Sequence, residues 1–119
     1  MLNDVSGMKV YIATGYTDLR QGVDGLTAFV TKELSMDPFG KDTLFLFCGR
    51  RADRIKGLLW EGDGFLLLYK RLGNGSFSWP RNAQEAMEIT EEQYRLLMSG
   101  FSVVSRHPVS RTGQKKSLF

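Results

Sequence analysis

Hydrophobic positions change period along this chain, and each change marks the boundary of an element. Residues Lys9 to Ala13 (KVYIA) alternate and include β-branched and aromatic side chains, which predicts a short strand. From Asp18 the period lengthens. Leu19, Val23, Leu26, Val30 and Leu34 recur at spacings of four, three, four and four, which places them on one face of a helix with Thr17 as its natural N-cap. Gly22 and Gly25 would each weaken that helix by roughly 1 kcal/mol relative to Ala, so a closely packed neighbour is expected to need their small size. Asp37-Pro38-Phe39-Gly40 stops the helix, because proline disfavours helical backbone in the residue before it and glycine permits a turn.

The next stretch predicts a β-meander. Thr43 to Cys48 is a continuous apolar run of the length of a buried strand, and Gly49 to Asp53 is its turn. Arg54 to Glu61 forms the next strand, Gly62-Asp63-Gly64 turns it, and Phe65 to Leu72 returns. Gly73-Asn74-Gly75 then carries the strongest hairpin signal, since Gly and Asn accept positive φ, with Ser76 to Trp79 as the strand after it and Pro80 as its end. Thr90-Glu91-Glu92-Gln93 satisfies the capping-box pattern, and Tyr94, Leu97 and Met98 continue as an apolar stripe, so a second helix begins at Thr90. Beyond Gly100 the period vanishes. Residues 102–119 contain Arg106, Arg111, Lys115 and Lys116 and no acid, the pattern of a flexible basic tail. The expected fold is α+β: a mostly antiparallel four- to five-stranded meander sheet with two α-helices, forming a single domain over residues 1–101.

Alternation also predicts how the strands face. Ile55 and Leu59 point one way and Arg54, Lys56, Leu58 and Trp60 the other; Phe65, Leu67 and Tyr69 oppose Leu66, Leu68 and Lys70. Both faces are substantially apolar. Two short helices are expected to cover one of them, which leaves an apolar face for a homodimer or another protein, unless the first strand and the loops wrap over it.

Composition narrows the function. At 119 residues and 42% hydrophobic content the chain can bury one core. No run approaches the roughly 18 apolar residues of a membrane span, and MLNDVSGMKV has no basic-then-apolar signal region, so a cytoplasmic protein without membrane contact is expected. The single Cys48 lies in an apolar run, as a small buried filler would. Net charge is +3, but unevenly distributed: −2 over residues 1–40, +4 over 41–81, −3 over 82–101 and +4 over 102–119. Such blocks suit a polyanion or an acidic protein surface.

Catalytic constellations find little support. A three-carboxylate nuclease or transposase site needs acids converging on two divalent ions. Asp18 and Asp24 are too far round a helix to be adjacent, and Asp42, Asp53 and Asp63 fall in turns where Asp is common. Glu61-Gly62-Asp63-Gly64 reads better as a hairpin than as a metal site. The only histidine, His107, adjoins Pro108 in the tail and lacks the partners of a triad, a zinc site or a general base. No glycine loop has nucleotide-binding spacing, so no cofactor and no enzymatic activity are expected. What remains is a basic meander interleaved with aromatics. Arg50, Arg51 and Arg54 cluster at one sheet end, with Lys56 on the strand that follows, and Lys70, Arg71 and Arg81 leave neighbouring strands near Phe77 and Trp79. Arginine forks fit phosphate oxygens, so these seven cations are the candidate nucleic-acid site. Trp60, Phe65, Tyr69, Phe77 and Trp79 are expected to serve the core rather than stack on bases.

GYTDLRQGVDGL at 15–26, LFLFCGRRADRIKGLLWEGDGFLLLYKRL at 44–72 and FSWP at 77–80, followed by a short acidic helix with Leu96 and Leu97, together resemble the TnpB-type accessory protein of bacterial insertion sequences of the family numbered sixty-six. The resemblance covers about residues 2–101 and leaves out the tail. It implies a small protein encoded beside a large transposase and needed for transposition, unrelated to the RNA-guided nuclease that shares the letters of its name. It assigns no catalytic or binding residue. The resulting expectation is a non-catalytic accessory protein that assists a separate transposase by binding DNA. The alternative is an adaptor that docks on the transposase and leaves DNA to it.

Overall fold

Every residue from Thr43 to Cys48 is buried, as a continuous apolar run requires of a strand in the middle of a sheet. The computed structural model describes residues 1–101, which form β1 (Lys9–Ala13), α1 (Val23–Lys32), β2 (Thr43–Cys48), β3 (Arg54–Trp60), β4 (Phe65–Arg71), β5 (Ala86–Ile89) and α2 (Glu91–Met98). The strand order is β4-β3-β2-β1-β5. Three of the four pairings are antiparallel, and β1 pairs with β2 in parallel, with Lys9 opposite Thr43 and Ile12 opposite Leu46. The fold is therefore α+β on a mostly antiparallel sheet. Its one parallel pair needs a crossover, and α1 supplies it. The expected flexible basic tail, residues 102–119, lies outside the described residues.

The strands β1 to β4 form where the pattern places them, but the hairpin at Gly73-Asn74-Gly75 does not. Gly75 has the positive φ (+83°) that such a turn needs, yet Ser76 to Trp79 never pairs as a strand. Phe77 and Trp79 are buried as anchors in the core, and the segment crosses to the far edge of the sheet, where Ala86–Ile89 pairs antiparallel to β1. Sheet order decides this. The edge of β1 needs a partner, and only Ile89 of the new strand is fully buried, so β5 has almost no hydrophobic signal of its own.

The first helix also starts later than its period suggests. Its N-cap is Gly22, not Thr17. Asp18 closes a turn by accepting from the Arg20 backbone N–H at 3.0 Å, and the Gln21 N–H donates to the Asp18 carbonyl at 3.4 Å. Asp side chains favour such local bonds over helix. Leu19 stays outside the helix yet packs on the same cluster. The tight neighbour at Gly25 is Gln21, whose Oε1 would lie 2.7 Å from an added Cβ, rather than a separate element. By contrast α2 begins as the sequence predicts. Thr90 Oγ1 accepts from the Gln93 N–H at 3.1 Å and the Thr90 N–H donates to Gln93 Oε1 at 2.7 Å.

Each helix covers its own face. On one, Leu26, Val30 and Leu34 pack with Ala13, Phe45, Phe47 and Leu58. On the other, Tyr94 and Leu97 of α2 join Val5, Phe77 and Trp79 over Val10, Ile12, Leu44, Leu46, Ile55 and Leu59. One helix per face, helped by the N-terminal segment and a loop, replaces the expected arrangement of two helices on one side. Among the described residues the large hydrophobics left exposed are Tyr16, Phe39, Tyr69 and Phe101, of which Phe39 and Tyr69, each 53% accessible, lie near the β4 edge.

Tyr94 ties α2 to the N-terminal segment by donating its hydroxyl to the Leu2 carbonyl, and burial pushes that hydroxyl up to about 12. A free tyrosine titrates near about 10, so the folded state favours the neutral phenol. The linked stability is complete below about pH 10 and is lost as pH rises through about 12. Denaturant midpoints followed over that range should fall more steeply for this chain than for Tyr94→Phe, and parallel curves would contradict the linkage.

Candidate nucleic-acid interface

Because β1 and β2 run parallel, the loops after them, residues 14–22 and 49–53, leave the same end of the sheet, where β3 begins and β4 ends. Segment 72–85 runs across this end and is bonded to both loops. The Leu72 N–H donates to Asp53 at 2.7 Å and the Phe77 N–H to Ala52 at 2.6 Å; farther on, the Gly15 N–H donates to Pro80 at 2.8 Å and the Thr14 N–H to Glu85 at 2.9 Å. Trp79 buries its ring and donates Nε1–H to the Ala13 carbonyl at 2.9 Å, so its one polar atom is satisfied.

On this frame the candidate cations take different parts. Arg50 lies over the Tyr16 ring, 4.1 Å from its centroid, and donates to the Tyr16 hydroxyl at 2.7 Å. Arg54 pairs with Asp53 at 2.9 Å. Lys56 donates to the Gln21 carbonyl at 2.9 Å and lies 6.0 Å from the Tyr69 ring centroid. Arg71 faces Arg54 across the β3–β4 ladder. Arg51 and Arg71 are exposed, and neither side chain makes a hydrogen bond or close ion pair with another described residue, although the Arg51 charge helps to lower the Asp53 carboxyl. Lys70 stands apart on the opposite sheet face, across from Ile55. Arg81 acts as a brace: Nη1 donates to Gly15 at 2.8 Å, and Nη2 to Gly49 at 2.8 Å and Arg50 at 3.3 Å. A planar fork is suited to bridging two loops in this way.

Between the loops opens a cleft of about 610 Å³, walled by the 16–20 segment, by Gly49, Arg50 and Arg51, and by Arg54 and Tyr69. Sequence reasoning misses Tyr16, Arg20 and Tyr69 as parts of this site. The first two lie in GYTDLR, a conspicuous motif with no helical or strand period. Tyr69 is expected in the core, but its ring is half exposed, whereas Phe77 and Trp79 are buried as expected. Trp60 and Phe65 cluster with Phe39 near the opposite end of the sheet.

Charge at the cleft end is predominantly positive, with Arg20, Arg50, Arg51, Arg54, Arg71 and Arg81 against Asp18, Asp53 and Glu85. The Arg20 side chain and N–H bonded to Asp18 hold its carboxyl down at about 2, and Arg54 lowers that of Asp53. Both acids remain ionised at neutral pH. Burial pushes the Cys48 thiol up to about 11, so it stays protonated and inert. Among the described residues no group of three or more His, Cys, Asp or Glu side chains could hold a metal ion, and no helix is long and apolar enough to cross a membrane.

Two substitutions separate support from exposure at this end. Arg81→Ala removes charged donors from the carbonyls of Gly15 and Gly49 and should cost about 1–3 kcal/mol in chemical unfolding; a loss below about 0.5 kcal/mol would mean that the brace is dispensable. Thr17 is buried with its hydroxyl unpartnered among the described residues. Since a buried unpaired hydroxyl costs about 1–3 kcal/mol, Thr17→Val should hold or raise the thermal midpoint, and a clear drop would reveal a hidden partner.

Comparison with known proteins agrees over most of the chain. A family model described as IS66 Orf2 like protein matches residues 8–108, reaching beyond residue 101 into the segment expected to fall outside. The y4jC protein of Sinorhizobium fredii (strain NBRC 101917 / NGR234) is 34% identical over 113 residues, covering 93% of this chain and 96% of its own. The y4hO protein of the same strain is 37% identical over 108 residues, covering 91% of each. No solved structure matches.

Proposed function

Since the chain belongs to the IS66 Orf2-like family of transposition-associated accessory proteins, we propose that it assists a separate transposase by binding DNA, without catalysing a reaction itself. The observation that carries this reading is the convergence of Arg50, Arg51, Arg54, Lys56 and Arg71 at one end of the sheet, with the exposed side chains of Arg51 and Arg71 in no hydrogen bond or close ion pair among the described residues, although the Arg51 charge is felt by Asp53. Guanidinium forks suit phosphate oxygens, and phosphate contacts position a protein on DNA without selecting sequence. Arg81 and Lys70 contribute less, one because its donors already hold carbonyls and the other because it faces away.

A second reading has its own support. β4 is an edge strand whose outer side is unpaired among the described residues, flanked by the exposed rings of Tyr69 and Phe39. Such an edge suits addition of a protein strand, from the transposase or from a second copy. In that case the chain is an adaptor, and the arginines meet an acidic protein surface.

Fluorescence anisotropy of labelled duplex DNA, titrated at two or more salt concentrations, separates the readings. DNA binding predicts that a folded Arg50→Ala, Arg51→Ala, Arg54→Ala variant binds all sequences more weakly, and that its slope of log affinity against log salt flattens by roughly 0.9 for each phosphate no longer neutralised. An unchanged slope removes this cluster from the DNA site. Absence of DNA affinity at physiological salt, together with capture of purified transposase that the same variant loses, supports the adaptor.

A further inference from the structure

The cleft does more than gather positive charge, because its walls do not suit the outside of a duplex. We propose that it takes an unpaired nucleotide of single-stranded DNA, with the base stacked on Tyr69 and the flanking phosphates held by Arg51 and Arg71; this rests on the DNA-binding reading above and specifies the form of DNA.

Tyr69 carries the argument. It lies on the edge strand β4, whose backbone fixes the position of its ring, and the residue is 53% exposed, whereas Phe45 and Phe47 of the central strand β2 are buried. Its cross-strand neighbour is Lys56, and Arg54 and Arg71 form the next pair on the same face. An exposed aromatic surrounded by cations is the arrangement that binds unpaired bases: the ring offers a π-face and the cations follow the backbone. A duplex keeps its base faces stacked inside, so it can reach the arginines but not the Tyr69 face.

The shape of the site agrees. About 610 Å³ lies within the roughly 300–1,000 Å³ of pockets that take small molecules. The cations also divide by availability. Arg50 is held over Tyr16, Arg54 by Asp53, Arg20 by Asp18 and Lys56 by the Gln21 carbonyl, which gives the cleft a preorganised polar rim. Arg51 and Arg71, exposed and without a described hydrogen-bond or ion-pair partner, are left to meet phosphate. Arg71 lies two residues beyond Tyr69 on the same face of β4, next to the cleft rather than in its lining, and Arg51 lines the cleft from the loop after β2.

The test compares a labelled oligodeoxythymidylate with a duplex of equal length, titrated with the full chain at about 0.15 M salt. The single strand should bind more tightly. Tyr69→Ala should weaken it by roughly 5- to 150-fold, the loss expected for one stacked base, and should weaken duplex binding by less, so that the preference for single strand is lost; Tyr69→Phe should restore that preference. Circular dichroism and the unfolding midpoint of both variants show whether a loss of binding is separate from a loss of fold. If duplex binds as well as single strand, or Tyr69→Ala changes neither, the stacked nucleotide is overturned while the phosphate reading survives. If neither DNA binds, both fall and the adaptor remains.

Discussion

A strand that is apolar on both faces is stable only when both faces are covered, and β2 imposes that constraint here. Burying Leu44, Phe45, Leu46 and Phe47 is worth about 1.5–3 kcal/mol each before the entropy of ordering is subtracted. That is comparable with the whole net stability of a small domain, about 5–15 kcal/mol. The helices therefore divide between the faces, α1 over Phe45 and Phe47 and α2 over Leu44 and Leu46. With both faces occupied, backbone and side chains remain free to meet a large partner at the ends of the sheet and along the β4 edge.

The two ends differ because of connectivity. At one, Glu61 to Gly64 makes a tight turn, with the Glu61 N–H donating to Gly64 at 2.8 Å. At the other, the single parallel pair forces two loops out side by side and segment 72–85 crosses over them. Irregular backbone in such numbers needs partners for its polar groups. The Arg81 guanidinium, the Thr14 hydroxyl and the Trp79 indole supply several of these partners. These bonds tie the loops that wall the cleft to one another and to the strands that carry them.

Much of the basicity at this end is already engaged. Asp18 and Asp53 bind Arg20 and Arg54, and both pairs are partly solvated, so they add little to stability. Their effect is to orient the guanidinium groups and to limit the positive field to a few exposed cations. A partner that supplies negative charge gains most from those few. Pairing of this kind also tempers the mutual repulsion of six arginines brought to one end of a small fold.

The sequence by itself determined whatever depends on near neighbours along the chain. Strands β1 to β4 followed from period, because alternation and apolar runs reflect burial directly, and α2 followed from Thr90 and Gln93, because a capping box is closed within four residues. The family, too, was legible, in ordered motifs whose spacing survives without any structure. Tertiary structure decided the rest, where the partner of a residue lies far along the chain. Gly73-Asn74-Gly75 has hairpin chemistry, yet Phe77 and Trp79 gain more by reaching the core, so the chain crosses the sheet. Ala86–Ile89 is a strand only because the β1 edge offers a ladder, and Thr17 does not cap the helix because a turn at Asp18 separates the two. Arg81 differs from Arg51 only in where their donors end, one on carbonyls of loops more than 30 residues away and one in solvent. Local pattern records how much of a side chain is to be buried; which distant atoms it meets is settled when the whole sheet closes.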